Sequence, residues 1–187
     1  MPTAPAINER PIADRLALLQ GEGSYRVLEA TKALEAQGRD IIHLEFGEPD
    51  FTAPGHVVEA AIRALRDGAT KYVQPRGIPS FRTAIAAAAG RRGIPTDPDR
   101  VFVTSSAKPA LLYAALATVN PGDDVLLPDP GFPIYPSHVR LAGGTPVSYP
   151  IERNGAQWEL NLDALRTAIT PRTRSLWLNS PSNPVGW

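Results

Sequence analysis

Cysteine is absent from the 187 residues. Disulfides, thiolate metal sites and cysteine nucleophiles are therefore excluded for this chain. A surplus of charge is missing too. Lys plus Arg number 19 and Asp plus Glu number 19, which argues against a nucleic-acid protein, where a basic excess or stripe is usual. No apolar run approaches the roughly 20 residues that span a bilayer, so no membrane partner is expected. Residues 1–11 lack the basic segment and apolar core of a secretory signal. Together with the absence of cysteine, this leads us to expect a cytoplasmic location. Histidine is scarce. His43, His56 and His138 are dispersed without metal-ligand spacing, so all three are read as structural and no metal is expected.

Hydrophobic residues make up 43% of the chain, which suits a globular fold with a sizeable core. The 20 prolines are spread along its length and read as punctuation between short elements. Residues 1–14 read as an extended arm broken by Pro2, Pro5 and Pro11. Helical spacing is expected over 24–37, 55–66, 79–91, 109–119 and 162–169, and after Pro136 within 133–142. Short apolar strands are expected at 41–46, 101–104, 125–127, 146–149 and 175–178, with a turn at Asn120–Asp123. From about residue 100 strands alternate with helices, the pattern of an α/β layered fold with a largely parallel sheet.

Several segments carry residues suited to chemistry, each with a plainer alternative. In Val101–Pro109 a strand meets a helix N-terminus, where free N–H groups and the helix dipole favour an anion. Ser105, Ser106 and Lys108 add donors and charge there, although a simple helix cap reads as well. In Asp129–Tyr135 an aromatic residue follows a buried strand and can stack on a flat ring, or pack in a turn. In Asn179–Gly186 an asparagine at a strand end can donate to a phenolic oxygen, or form a turn. Gly47, in Phe46–Phe51, allows close backbone approach to a ligand, or makes an ordinary turn. Tyr72 offers a buried or interface hydroxyl.

The order of these segments is more telling than any one of them. Gly47-Glu-Pro-Asp-Phe51, Lys71-Tyr72 with a following Gly-Ile-Pro, Val103-Thr-Ser-Ser-Ala-Lys108, Asn120-Pro-Gly-Asp-Asp-Val125, Pro130-Gly-Phe-Pro-Ile-Tyr135, Ala142-Gly-Gly144 and Asn179-Ser-Pro-Ser-Asn-Pro-Val-Gly186 resemble the N-terminal half of class I/II pyridoxal-phosphate-dependent aminotransferases of fold type I. The resemblance covers about residues 24–187. It implies an α/β partial PLP-transferase fold, a mixed, mostly parallel sheet flanked by helices. Residues 1–50 would form the N-terminal arm and part of a small domain, and residues 51–187 the first half of the large PLP-binding domain.

The resemblance also implies roles. Ser106, Ala107 and Lys108 would hold the phosphate of pyridoxal 5'-phosphate. The family usually has glycine where Ser106 stands; serine keeps the N–H, adds a hydroxyl and brings a Cβ toward the phosphate. Phe132 would stack on the cofactor ring and Asn183 would bond its phenolic oxygen. Val185 stands where threonine is more frequent. Gly47 would meet the substrate α-carboxylate. Tyr72 would reach the cofactor phosphate of a neighbouring subunit, implying a homodimer. The implied activity moves an amino group between an amino acid and a 2-oxo acid. The alternatives are a PLP-dependent lyase of the same fold and a non-catalytic truncated or split subunit.

Lys32, Lys71 and Lys108 are the only lysines, and none stands in the context of the family's Schiff-base lysine. No catalytic residue is therefore assigned. The expected chain is an N-terminal portion whose catalytic lysine, ring-nitrogen aspartate and carboxylate-binding arginine lie beyond Trp187. Without such a lysine no group is at hand for the proton shift. The purified 187-residue chain is predicted not to transaminate, and turnover of an amino acid with a 2-oxo acid would contradict this.

Overall fold

A computed structural model describes residues 13–19, 21 and 23–187. Nearly all of the arm expected over residues 1–14 lies outside the described residues; Asp14 opens a short 3-10 helix, Asp14–Leu18. The chain divides into two compact units, one of Met1–Val27 with Lys108–Trp187, the other of Leu28–Ala107.

The first unit is built on β1 (Asp124–Asp129), β2 (Thr145–Asn154), β3 (Gln157–Leu160) and β4 (Thr173–Leu176), in the sheet order β3-β2-β1-β4. β1 runs parallel to both neighbours, pairing Val125 with Pro146 and with Ser175. β3 returns antiparallel to β2, with Ile151 opposite Leu160. The sheet is thus mostly parallel, as expected from alternating strands and helices. The helices are α4 (Ala107–Thr118), α5 (Ile134–Leu141), the crossover between β1 and β2, and α6 (Leu162–Ala168), which precedes β4.

β1 forms because its apolar residues satisfy both faces. Val125 and Leu127 join Val119, Tyr135 and Val139 on one side, while Leu126 joins Tyr149, Ile151 and Leu165 on the other. Each fully buried aliphatic side chain contributes about 1.5–3 kcal/mol. Two of the polar groups that enter this core are paired across strands. Tyr149, fully buried, donates its hydroxyl to the Trp177 carbonyl at 2.7 Å; leaving either group unpaired would cost about 1–3 kcal/mol. The buried Asp124 carboxylate accepts from Arg172 Nη2 at 3.1 Å and Nε at 3.2 Å, and from Thr170 at 3.3 Å. That set ties the start of β1 to the approach to β4.

Local signals set the element ends. Asn161 caps α6, its Oδ1 accepting the Ala164 N–H at 2.9 Å, where the helix has an orphan donor. α5 begins at Ile134, ahead of the expected start after Pro136. Pro136 is the third helical residue, where a missing N–H costs no intrahelical bond. β3 is absent from the sequence reading. It is reached by a two-residue turn whose Gly155 has φ +61°.

The second unit holds the rest of α1 (Gly23–Glu35), α2 (Gly55–Arg66) and α3 (Pro79–Arg91). The strands expected at 41–46 and 101–104 are not formed. Ile42 is 85% and Leu44 87% exposed, and neither segment has a ladder partner among the described residues; Val103 makes a single backbone bond, to the Arg76 carbonyl. Buried Arg82 on α3 fastens the helix to the turn at Pro98–Arg100, donating to the Pro98 carbonyl at 2.8 Å and the Asp99 carboxylate at 3.0 Å. His43 lies between Glu35 (2.8 Å) and Glu45 (2.6 Å). These hydrogen bonds, that to Glu35 first, hold its pKa above the ordinary 6.5.

Two outcomes follow. A Cβ on Gly144 would stand 2.5 Å from Val119 Cγ1 and 3.2 Å from the Asp123 carbonyl oxygen, so Gly144→Ala is expected to destabilise by about 1–3 kcal/mol, read as a lowered urea midpoint with an unchanged slope. A raised folded-state pKa means that the His43 contribution is present below pH 6.5 and is lost as pH rises through the raised value. Histidine ring resonances should titrate accordingly, and Glu35→Gln should move the His43 midpoint down; an unmoved midpoint would contradict the pairing.

Candidate cofactor site

The parallel strands β1 and β4 end side by side. In an open α/β sheet the carboxyl ends of the strands are where ligands bind. The chain leaving β1 carries Phe132, and the chain leaving β4 carries Asn179 and Asn183. Trp177 extends the ladder one residue, its N–H donating to the Leu126 carbonyl at 2.9 Å. Pro128, two residues further along β1, has no N–H to offer on the side where β4 departs.

Phe132 is half-buried, edge-on to Tyr135 with centroids 5.6 Å apart. Tyr135 is in turn edge-on to Trp177 at 5.4 Å. Such contacts add about 0.5–1.5 kcal/mol each beyond area burial. The Lys108 ammonium stands 5.7 Å from the Phe132 ring centroid, within cation–π range. Gly131 is required by space: a Cβ there would run into the Pro128 carbonyl oxygen. Behind Phe132, a cavity of about 220 Å³ is lined by Tyr135, Arg140 and Ser148 among others. That is below the ~300 Å³ of a usual small-molecule pocket.

Of the residues singled out in the sequence, Lys108 and Phe132 are brought into contact. Ala107 is the first residue of α4 and Ser106 precedes it, so their N–H groups belong to the turn that has no intrahelical acceptors. Both are exposed, and the Thr104 hydroxyl donates to the Ser106 carbonyl at 2.7 Å. Asn183 is exposed, and its N–H is held by Asn179 Oδ1 at 2.8 Å. Gly47 and Tyr72 belong to the second unit. Gly47 has open space where a Cβ would go, and Tyr72 is fully exposed.

The donor set fits pyridoxal phosphate in kind. Helix-start N–H groups, a serine hydroxyl and an ammonium suit a phosphate dianion; an aromatic ring suits a flat heterocycle; a carboxamide suits a phenolic oxygen. Sequence reasoning gave no role beneath this surface to Tyr135, Trp177 and Tyr149, and read His138 only as structural. Their roles arise from cross-sheet packing and have no local signature. His138 is buried on α5 with Nδ1 unpartnered, and burial followed by the Lys108 charge holds its pKa below 6.5.

The corner lies at the carboxyl edge of a mostly parallel α/β sheet, the place where such folds take their ligands. Residues 39–187 match the family Aminotransferase class I and II, and the chain belongs to that family. It is 39% identical over 177 residues to an aspartate aminotransferase of Geobacillus stearothermophilus, covering 94% of this chain and 44% of that protein. It is 42% identical over 176 residues to an aspartate/prephenate aminotransferase of Cereibacter sphaeroides, with the same two coverages. Among solved structures it resembles an alanine aminotransferase of Pyrococcus furiosus (TM-score 0.88, 32% identity, 95% of this chain and 46% of that one). It also resembles an aspartate aminotransferase single mutant of Thermus thermophilus (TM-score 0.87, 38% identity, 94% and 46%). The chain thus spans a little under half the length of these relatives.

His138 provides a test. Its depressed pKa means that its contribution is present above pH 6.5 and is lost as pH falls through the folded-state value. His138→Gln should flatten the stability loss below pH 6.5, and an unchanged slope would contradict the buried neutral imidazole.

Proposed function

We propose that this chain forms part of an aminotransferase that moves an amino group between an amino acid and a 2-oxo acid with pyridoxal 5'-phosphate. The observation that carries the reading is the corner at the carboxyl ends of β1 and β4, where Lys108 stands over Phe132 and Asn183 lies in the following turn, in a chain of this family. When bound, the cofactor supplies the electron sink for a developing carbanion at the substrate Cα.

The chain's own residues bind and orient. Ser106, Ala107 and Lys108 hold the phosphate. Phe132 packs on one face of the ring and excludes water from it. Asn183 donates its amide to the ring oxygen and fixes the ring's rotation. Gly47 leaves its backbone open to the substrate α-carboxylate. Tyr72 reaches toward the phosphate held by a second copy of the chain, which makes the working unit a homodimer. Residues 1–50 form the arm and part of a small domain, and residues 51–187 part of the large one. The relatives named for aspartate favour an acidic amino donor. Among the described residues no helix is long and apolar enough to cross a membrane. We assign the protein to the cytoplasm and to amino-acid biosynthesis on the ground of the aminotransferase reading, and of no structural feature.

Pyridoxamine phosphate tests the corner directly, because it lacks the aldehyde that would react with any exposed lysine. It is expected to quench tryptophan fluorescence saturably. Phe132→Ala and Asn183→Ala should each weaken binding about threefold to tenfold, the worth of one ring contact or one hydrogen bond. Affinity unchanged from that of the unsubstituted chain in both variants would overturn the assignment.

A further inference from the structure

The Trp177 backbone is held both along the ladder and from one face of the sheet. Its N–H donates to Leu126 at 2.9 Å, and its carbonyl accepts the Tyr149 hydroxyl at 2.7 Å. Tyr149 belongs to β2, and β1 stands between β2 and β4. The Tyr149 side chain therefore passes across the central strand, within the cluster of Leu126, Ile151 and Leu165, to reach the end of a strand that β2 does not touch. It is 0% exposed, so the hydroxyl has no water to turn to if this bond is lost. The Trp177 indole lies on the other face, against the cluster of Val125, Leu127, Tyr135 and Val139, and edge-on to Tyr135, which is edge-on to Phe132.

We propose that Tyr149 is a positioning residue that sets Phe132 and Asn183 together through Trp177. The proposal rests on the reading of those two residues as cofactor contacts. Fixing the Trp177 carbonyl fixes the direction in which the chain leaves the sheet at Leu178. Asn179 follows, and its Oδ1 holds the Asn183 N–H at 2.8 Å. The same anchoring keeps the indole against Tyr135, and Tyr135 against Phe132. One buried hydroxyl thereby aligns two groups that leave the sheet from different strands. Tyr149 itself acts only through Trp177.

Tyr149→Phe removes the hydroxyl and keeps the ring. The expected result is a shift of the Asn183 and Asn179 amide resonances and of the Phe132 ring resonances, with affinity for pyridoxamine phosphate falling about threefold to tenfold. Leu160→Ala, in the same apolar cluster, is expected to lower the thermal midpoint without moving those resonances. Trp177→Phe keeps the backbone acceptor and is expected to move the Phe132 ring while the Tyr149 hydroxyl proton stays slow to exchange; this variant decides the matter if Tyr149→Phe does not fold. Unmoved Asn183 and Phe132 resonances in a folded Tyr149→Phe, or equal shifts in Leu160→Ala, would overturn the proposal. Failure of the unsubstituted chain to bind pyridoxamine phosphate would overturn the cofactor reading instead, and the resonance shifts would still decide the positioning role.

Discussion

The first unit depends on burying β1 on both faces and both edges at once. A strand in that position must be apolar at successive residues, and Val125-Leu126-Leu127 is. Its alternate side chains seed two separate clusters, so α5 on one side and α6 on the other are recruited by one six-residue segment. The strand also fixes where everything else ends. β2 accompanies it to Asp129, whereas β4 stops at Leu176 with Trp177 as a last ladder contact. The unequal lengths open a step at the carboxyl edge, and Phe132 and the Asn179–Asn183 turn leave from the two sides of that step.

Two paired polar groups of this core lock strand ends. Asp124 receives Arg172 and Thr170 at the start of β1, and Tyr149 receives its acceptor at the end of β4. A buried hydroxyl or carboxylate contributes little net energy when paired and costs much when unpaired. Such groups therefore select one arrangement of strands more than they add stability. That selectivity suits a corner whose ligand-facing groups are few and must be held in register. The second unit works differently. It is fastened by Arg82 reaching back to the Pro98–Arg100 turn, and it leaves Ile42, Leu44 and Phe102 largely exposed.

Much of the fold was legible from local chemistry. The boundaries of α2 and α3 follow from helical spacing closed by Gly68 and opened by Pro79. β1, β2 and β4 follow from short apolar runs between turn residues. The segments Ile-Ile-His-Leu-Glu-Phe and Val-Phe-Val-Thr read as strands for the same reason but are not, because strand propensity has no effect without a partner to complete a ladder. β3 escaped because Gln-Trp-Glu-Leu is short and half-polar; Gly155 at the first position of the two-residue turn was the signal that could have marked its hairpin. Of the proposed cofactor contacts, Phe132, Asn183 and Lys108 were visible through motif order. Tyr149 was not, since burial and a partner 28 residues away leave no trace in a linear pattern.

Membership of the class I and II aminotransferases and the step at the edge of the sheet meet in one claim, that a pyridine ring lies on Phe132 within reach of Asn183. The most direct measurement is the set of intermolecular NMR contacts between pyridoxamine phosphate and the chain. The account predicts contacts from the ligand's ring methyl and methylene protons to the Phe132 ring and the Asn183 side-chain amide. Contacts confined to residues away from the carboxyl edge of β1 and β4, such as Trp158 on the hairpin, would contradict it.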